Sequence, residues 1–303
     1  MSPTDQPIPI VIDSPTVTGG ASPLTTACVP ASGSMFPIGL TTVTCTTTDA
    51  RQRAASCAFA VMVQSPPRIS ATRFLAFGDS ITLGEDGNST TLTSESPTPG
   101  SGGWAFPTVI LLGKQYPTVL EQLLAARYTT QSIGVANGGE RGEFAGASAT
   151  VSRFTARLGQ TQAQAALIME GTNDISSGTT SAIDPAIAGL RSMIGIARSR
   201  GVRLYLATVP PLNPDGPRGR LGYATVPLLN TRIRALASSE GATLVDVNQA
   251  FGSNFALLSN DGLHPNADGF ALIAKIFFDT IVATLDASPS SVQGLSPWSR
   301  GRR

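Results

Sequence analysis

The chain has 303 residues, of which 41% are hydrophobic and 14% charged, and its 21 basic and 20 acidic residues leave a formal net charge of +1. This length accommodates one mid-sized enzyme domain together with a small extra module. No basic stripe stands out apart from the terminal SRGRR, which argues against a nucleic-acid partner. No apolar run approaches the ~20 residues that a membrane-spanning helix needs.

The first segment, residues 7–64, has the pattern of an all-β module. Val43 and Cys45 alternate with threonines in TTVTCTTT, and a second alternation runs from Cys57 to Val63. A period of two is typical of half-buried strands, and the glycines and prolines between the runs supply turns. Residues 65–72 contain a tandem proline and predict an extended linker.

All three cysteines, Cys28, Cys45 and Cys57, lie in this module. Their clustering favours a disulfide and an oxidising compartment, with three reduced, buried thiols as the alternative. The N-terminal sequence MSPTDQP has neither the basic region nor the apolar core of a signal peptide. We therefore expect either an intracellular protein or one whose export signal was removed, and the cysteines favour the second.

From residue 73 onward, short apolar runs alternate with helical stretches. Such a pattern predicts a parallel sheet covered by helices on both faces, with ligands bound beyond the carboxyl ends of the strands. The predicted strands are 73–77, 131–136, 164–169, 202–209 and 243–247. The predicted helices lie near 116–127, 144–158, 185–199, 223–239 and 266–284.

Two stretches lack this pattern. Residues 85–103 are almost all small, polar or acidic and predict a long loop. Residues 287–303 are rich in Ser, Pro and Gly and predict a disordered tail. The α/β domain is therefore expected over residues 73–286.

The chain contains one histidine, His264, in the sequence DGLHPN at 261–266. Asp261 lies three residues before it, and on a bend its carboxylate can accept a hydrogen bond from Nδ1. That bond fixes the tautomer and leaves Nε2 free to take a proton. A surface histidine beside an aspartate is the alternative.

A candidate nucleophile, Ser80, follows the first predicted strand in the sequence GDSITLG at 78–84. A serine at the end of a parallel strand and the start of a helix presents Oγ at the ligand-binding edge, and its N–H lies where a helix N-terminus stabilises an oxyanion. A simple helix N-cap is the alternative. The motif is not the G-x-S-x-G elbow of α/β-hydrolases, because position 82 is Thr.

The second and third strands lead to further candidates. NGGERG at 137–142 allows backbone N–H groups to approach a ligand closely, although it also fits an ordinary loop. GTND at 171–174 follows the third strand, and the amide of Asn173 suits an oxyanion hole, with a turn or helix cap as the alternative.

Together, and in this order, these four blocks resemble the SGNH/GDSL hydrolase family over residues 73–284. The resemblance implies a flavodoxin-like three-layer α/β/α sandwich. It also implies a Ser80–His264–Asp261 triad, with oxyanion donors from the Ser80 N–H, the Gly142 N–H and the Asn173 side chain. Gly142 is chosen by its distance from Asn137, and Gly139 is its rival.

Asp79 and Asp174 are interpreted as structural residues that hold their loops. No cofactor and no metal are expected, since one histidine and distant cysteines form no ligand cluster.

The first module resembles a hyalin-repeat (HYR) domain, an Ig-like β-sandwich, over residues 29–63. We predict a Cys28–Cys45 disulfide, because Cys45 and Val43 share the inward face of a strand and Cys28 lies on the expected facing strand. The resemblance implies that the usual partner of Cys57, a cysteine in the first strand, is missing here, which leaves Cys57 free. Such modules are usually extracellular, which favours a secreted or periplasmic protein that contacts a glycan or another surface.

The expected function is hydrolysis of short-chain acyl esters through an acyl-enzyme. Deacetylation of a polysaccharide is the alternative among enzymes. An adhesion or binding protein with an inactive hydrolase domain is the alternative of another class, against which the intact Ser80, Asn173, Asp261 and His264 argue.

Overall fold

The computed structural model describes residues 5–87 and 109–287. The chain divides into two compact units, one containing the N-terminal module through Ile69 and the other comprising Ser70–Arg127 and Gln131–Asp286. None of the helices within the described ranges has both the length and the apolar content needed to cross a membrane.

The N-terminal unit is built from antiparallel strands, as the sequence predicts. The strands are β1 (Ile8–Pro9), β2 (Thr25–Val29), β3 (Met35–Phe36), β4 (Gly39–Thr48) and β5 (Ala54–Val63). β2, β4 and β5 form one sheet in the order β2-β4-β5, and β1 pairs with β3. A small core contains Phe36, Val43, Cys45 and Val63.

The second alternation, from Cys57 to Val63, is less buried than the pattern predicts. Phe59 is 39% exposed and Cys57 is also exposed, whereas Val63 is buried. The facing sheet has strands of only two residues, so it covers one end of β5 and leaves the rest open.

The structure joins Cys28 and Cys45 by a disulfide between paired positions of β2 and β4, and Cys57 is free. Cys57 lies opposite Cys45 on the other neighbouring strand, so it is the competing partner. We expect a non-reducing peptide map to yield a Cys28–Cys45 peptide and alkylated Cys57. A Cys45–Cys57 peptide, or three alkylated cysteines without reductant, would contradict this pairing.

The larger unit is a parallel five-stranded sheet flanked by helices, which confirms the predicted fold class. Its strands and a small hairpin are β6 (Arg73–Gly78), β7 (Glu85–Asp86), β8 (Val109–Ile110), β9 (Gly134–Gly139), β10 (Ala165–Met169), β11 (Arg203–Ala207) and β12 (Thr243–Val245). The sheet order β12-β11-β10-β6-β9 is the flavodoxin-like 2-1-3-4-5 arrangement read from the other edge. The winding therefore reverses between β6 and β10, where such sheets bind ligands.

The helices are α1 (Ser80–Leu83), α2 (Tyr116–Arg127), α3 (Ser148–Thr161), α4 (Thr172–Ile175), α5 (Ile183–Ser199), α6 (Val226–Glu240), α7 (Val247–Phe251) and α8 (Ala267–Leu285). α2 packs against α8, whereas α3 and α6 pack against α5, which gives one helical layer on each side of the sheet. The apolar faces of α3, α5 and α6 enclose the main core with the sheet strands.

Several sequence-based boundaries differ from the observed ones; for example, the helix predicted near 144–158 is α3, Ser148–Thr161. β9 begins at Gly134 and extends through Gly139, because its glycines pair with β6 and let the strand pack against α1. A Cβ at Gly139 would lie 2.1 Å from the backbone nitrogen of Leu83. The predicted loop over 85–103 begins as a strand, because β7 pairs with β8. The rest of that loop after Gly87 lies outside the described residues, as does the predicted tail after Ala287.

Candidate active site

Ser80 lies at the carboxyl end of β6, as the first residue of α1. Asp79 is the N-cap of this helix, and its Oδ1 accepts a 2.9 Å hydrogen bond from Ile81 N–H. Ser80 is therefore not required as the cap, and its hydroxyl is available for other contacts. Gly78 permits the tight turn, because a Cβ there would lie 2.4 Å from the carbonyl oxygen of Met169.

His264 connects Ser80 to Asp261. Its Nε2 lies 2.9 Å from Ser80 Oγ, and its Nδ1 lies 2.6 Å from Asp261 Oδ2. Ser80, His264 and Asp261 are all buried. The structure thus brings together the three residues predicted as a triad, in hydrogen-bond contact and in the expected order.

The carboxylate of Asp261 is well supplied with donors. Its Oδ1 accepts hydrogen bonds from the backbone N–H groups of Leu263, at 2.9 Å, and His264, at 3.0 Å. Burial opposes ionisation, but the hydrogen bonds and the charge of His264 outweigh it and hold the pKa of Asp261 below its ordinary value. Asp261 therefore faces the imidazole as an anion.

The predicted oxyanion donors come after three neighbouring strands of the sheet: Asn173 after β10, Ser80 after β6 and Gly142 after β9. None of the described residues accepts a hydrogen bond from the N–H of Ser80 or of Gly142. Asn173 donates one Nδ2 hydrogen to the carbonyl oxygen of Glu143, at 2.8 Å, which leaves its second hydrogen.

The rival Gly139 has a different environment. Its N–H donates to Oδ1 of Asn137 at 2.9 Å, and the residue lies within β9 against α1. Gly142, by contrast, is exposed in the following loop with a φ of +69°. Of the two glycines, Gly142 has the N–H that is available to a ligand.

Asp79 and Asp174 hold their loops, as the sequence predicts. Asp79 caps α1, and the carboxylate of Asp174 accepts the N–H groups of Ala145 at 2.8 Å and Gly146 at 3.1 Å. These bonds fix the loop that carries Gly142 against the start of α4.

Sequence reasoning missed several charged residues around this site. Glu85, which directly follows the GDSITLG block, places Oε2 3.7 Å from His264 Nε2 and forms an ion pair with Arg141. Arg218 lies 3.7 Å from Asp261 Oδ2. In the sequence, only its place directly after GDSITLG could have suggested a role for Glu85 at the site. Nothing in the sequence pointed to Arg218.

A second group of missed residues lies behind the oxyanion loop. Arg153 Nε donates to Glu143 at 2.7 Å, and Arg153 Nη1 donates to the carbonyl oxygen of Gly138 at 2.7 Å. Its guanidinium also lies 4.1 Å from the centre of the Phe77 ring. Glu170, at the end of β10, is fully buried beside these groups.

Within residues 5–87 and 109–287, no group of three or more His, Cys, Asp or Glu side chains is arranged to hold a metal ion.

Comparisons with known proteins agree with this architecture. The model of the GDSL-like Lipase/Acylhydrolase family matches residues 76–272, and the HYR domain model matches residues 6–63. A multidomain esterase of Ruminococcus flavefaciens is 26% identical over 136 residues, which is 43% of this chain and 17% of that protein. The chain therefore corresponds to only a small part of that relative.

Solved structures share the fold. A lipase/acylhydrolase from Enterococcus faecalis superposes with a TM-score of 0.54 at 19% identity, covering 71% of this chain and 97% of the other. A carbohydrate acetylesterase family member from Sinorhizobium meliloti gives a TM-score of 0.53 at 17% identity, covering 70% and 98%.

Proposed function

Because the chain belongs to the GDSL-like Lipase/Acylhydrolase family, we propose that it is a serine esterase that hydrolyses short-chain acyl esters. The observation that carries this proposal is the buried chain of hydrogen bonds from Ser80 through His264 to Asp261. This arrangement is that of a nucleophile, a general base and the acid that orients the base.

In the proposed mechanism, Nε2 of His264 takes the proton of Ser80 as Oγ attacks the ester carbonyl. The Ser80 N–H, the Gly142 N–H and the free Nδ2 hydrogen of Asn173 stabilise the oxyanion. The alcohol leaves with the proton from His264, and an acyl-enzyme remains on Ser80. Water, deprotonated by the same imidazole, then releases the acid.

The direct test is turnover of p-nitrophenyl acetate by the purified full chain, compared with the same protein after heat denaturation. We expect saturable hydrolysis that only the folded protein catalyses. No turnover of any ester by folded protein would instead favour the binding-protein alternative.

We expect the enzyme to prefer acyl chains from acetyl to about hexanoyl. A long tail gains about 0.8 kcal/mol for each buried methylene only where apolar surface receives it. Charged groups lie beside the triad instead: Glu85 is near His264, Arg218 is near Asp261, and Arg141 pairs with Glu85. A p-nitrophenyl series from C2 to C12 measures this preference through kcat/KM.

The residues that could overturn this preference lie in the apolar stretch 104–112. Residues 104–108 lie outside the described ranges, but Ile110 pairs with Glu85, and Leu112 is 83% exposed. This part of the stretch lies beside the site. A maximum of kcat/KM at C10 or longer would show that it forms an acyl-binding surface.

An acetylated polysaccharide is the second candidate substrate. The Glu85–Arg141 pair beside His264 favours it, because the exposed guanidinium of Arg141 can donate hydrogen bonds to the hydroxyl groups of a sugar. Release of acetate from acetylated xylan, at a kcat/KM above that for p-nitrophenyl acetate, would support this substrate.

The N-terminal HYR domain supports an extracellular or periplasmic location. We propose that residues 7–64 and 73–286 are separate domains joined by the 65–72 linker. In this arrangement the HYR domain contacts a glycan or another surface near the ester substrate.

A further inference from the structure

Glu85 is a buried carboxylate that the proposed mechanism does not use. It directly follows the GDSITLG block as the first residue of β7, and its side chain is 2% exposed. Its Oε2 lies 3.7 Å from Nε2 of His264, the nitrogen that takes the proton of Ser80. This distance is too long for a hydrogen bond, so Glu85 leaves the 2.9 Å hydrogen bond between Ser80 and His264 intact.

β7 lies directly against the bend that carries His264. The second residue of this strand, Asp86, accepts a hydrogen bond from the hydroxyl of Ser259, whose N–H donates to the carbonyl oxygen of His264 at 2.8 Å. The next residue is Gly87, where a Cβ would lie 2.1 Å from Cγ of Asp261. These contacts hold β7 and the imidazole at a fixed separation.

Arg141 balances the charge of the Glu85 carboxylate. Its guanidinium forms an ion pair with Oε1 of Glu85, while the side chain of Arg141 itself is 60% exposed. A buried carboxylate is costly without a cation, so this ion pair favours the ionised form of Glu85. Arg141 also directly precedes Gly142, a proposed oxyanion donor. The ion pair therefore links the surroundings of the general base to the oxyanion loop.

Other charged groups face the imidazole as well. Asp261 lies 2.6 Å from Nδ1, and Arg218 lies 3.7 Å from Asp261. Asp79, the N-cap of α1, also interacts electrostatically with His264. Among the described carboxylates, however, only that of Glu85 forms an ion-pair contact with Nε2.

An anion beside Nε2 matters only when this nitrogen carries a proton. A neutral imidazole gains nothing from a nearby negative charge, whereas an imidazolium is stabilised by one. The imidazolium forms as the proton moves from Ser80 Oγ to Nε2, and it persists until the proton leaves with the alcohol. The carboxylate of Glu85 therefore stabilises the transition state more than the resting enzyme.

We propose that Glu85 is a positioning residue: kept ionised by Arg141, it places a second negative charge beside His264 and stabilises the imidazolium that forms as Ser80 attacks. The proton passes from Ser80 to Nε2 and on to the leaving alcohol, and Glu85 takes no part in the transfer. The inference rests on the proposed esterase function. It predicts that the Glu85–Arg141 pair affects kcat, and not KM, for an ester without sugar hydroxyl groups.

The test measures kcat and KM for p-nitrophenyl acetate in wild type, Glu85→Gln, Arg141→Gln, the double variant and the control Glu140→Gln. Glu140 is an exposed acid of the same loop. Glu85→Gln and Arg141→Gln should each lower kcat about tenfold or more, with KM changed by less than about twofold, because each removes the anion beside Nε2. The double variant should lose less than about threefold beyond either single variant, since both changes remove one charge. The control should keep kcat within about twofold of wild type.

A kcat of Glu85→Gln within about twofold of wild type would overturn the inference. Losses of the two single variants that multiply in the double variant would also overturn it, because Arg141 would then act apart from Glu85. Thermal midpoints of unfolding show whether each variant folds. Because the side chain of Arg141 is exposed, Arg141→Gln measures the effect even if Glu85→Gln fails to fold.

Nitrogen-15 NMR of the single imidazole detects the same charge without a substrate. At one mildly acidic pH, a smaller share of the imidazole should be protonated in Glu85→Gln than in wild type and in Glu140→Gln. An equal share in wild type and Glu85→Gln would overturn the inference, whether or not the protein is an esterase. Wild type that hydrolyses no ester would instead overturn the proposed function, and the NMR comparison would still decide whether Glu85 acts on the charge of His264.

Discussion

Replacing Ser80 with alanine is expected to lower kcat/KM by about 10³-fold or more without unfolding the protein. The hydroxyl is the attacking group of the proposed mechanism, and among the described residues it forms a side-chain hydrogen bond with His264 alone. The nearby Thr82 cannot replace it, because its hydroxyl is buried and bonded to the hydroxyl of Tyr116 at 3.2 Å. The fold should persist, since Asp79 and not Ser80 caps α1.

The measurement is kcat/KM for p-nitrophenyl acetate together with the thermal midpoint of unfolding. Ser152→Ala is a matched control, because Ser152 is an exposed helical serine bonded only to the carbonyl oxygen of Ser148 in its own helix. Activity of Ser80→Ala within tenfold of wild type would show that Ser80 is not the nucleophile.

Replacing Asp261 with asparagine is expected to lower kcat by about 10⁴-fold, the scale found when the His-orienting acid of a serine triad is made neutral. Oδ1 of the asparagine can still accept the N–H groups of Leu263 and His264, so the bend should form. At the Oδ2 position, however, an NH₂ group would face Nδ1 of the imidazole. This contact selects the tautomer with hydrogen on Nε2, which cannot accept the proton of Ser80.

The control for this substitution is Asp268→Asn, which removes an exposed carboxylate near the start of α8. Both variants lose one negative charge, but only Asp261→Asn changes the tautomer of His264. Hydrolysis rates and the ¹⁵N NMR shifts of the single imidazole should therefore change in Asp261→Asn alone. Equal effects of the two substitutions would contradict the role of Asp261.

Much of the larger unit could be predicted from sequence because short apolar strands and helices alternate regularly there. The helix over 116–127 was predicted with the observed limits, Tyr116–Arg127. Parallel strands bring their carboxyl ends to one edge, so motifs that follow successive strands must lie near one another. Ser80 follows one of these strands, so it could be expected at that edge. A base for it could only be His264, because the chain has a single histidine.

The parts that could not be predicted depend on tertiary burial. NGG at 137–139 has the composition of a loop, yet it continues β9, since glycine alone fits between β6 and α1. Glu143, Arg153 and Glu170 look like ordinary surface charges in the sequence. Only the packing of β6, β9 and β10 shows that Arg153 pairs with Glu143 behind the site and that Glu170 is fully buried.

The central claim, that Ser80 is a nucleophile activated by His264, is tested most directly by a fluorophosphonate probe, which reacts with activated serines. We predict stoichiometric labelling of the folded wild-type chain, a modified peptide that maps to Ser80, and no labelling of Ser80→Ala. Labelling of Thr82 or another residue, or no labelling of folded wild-type protein, would contradict the account.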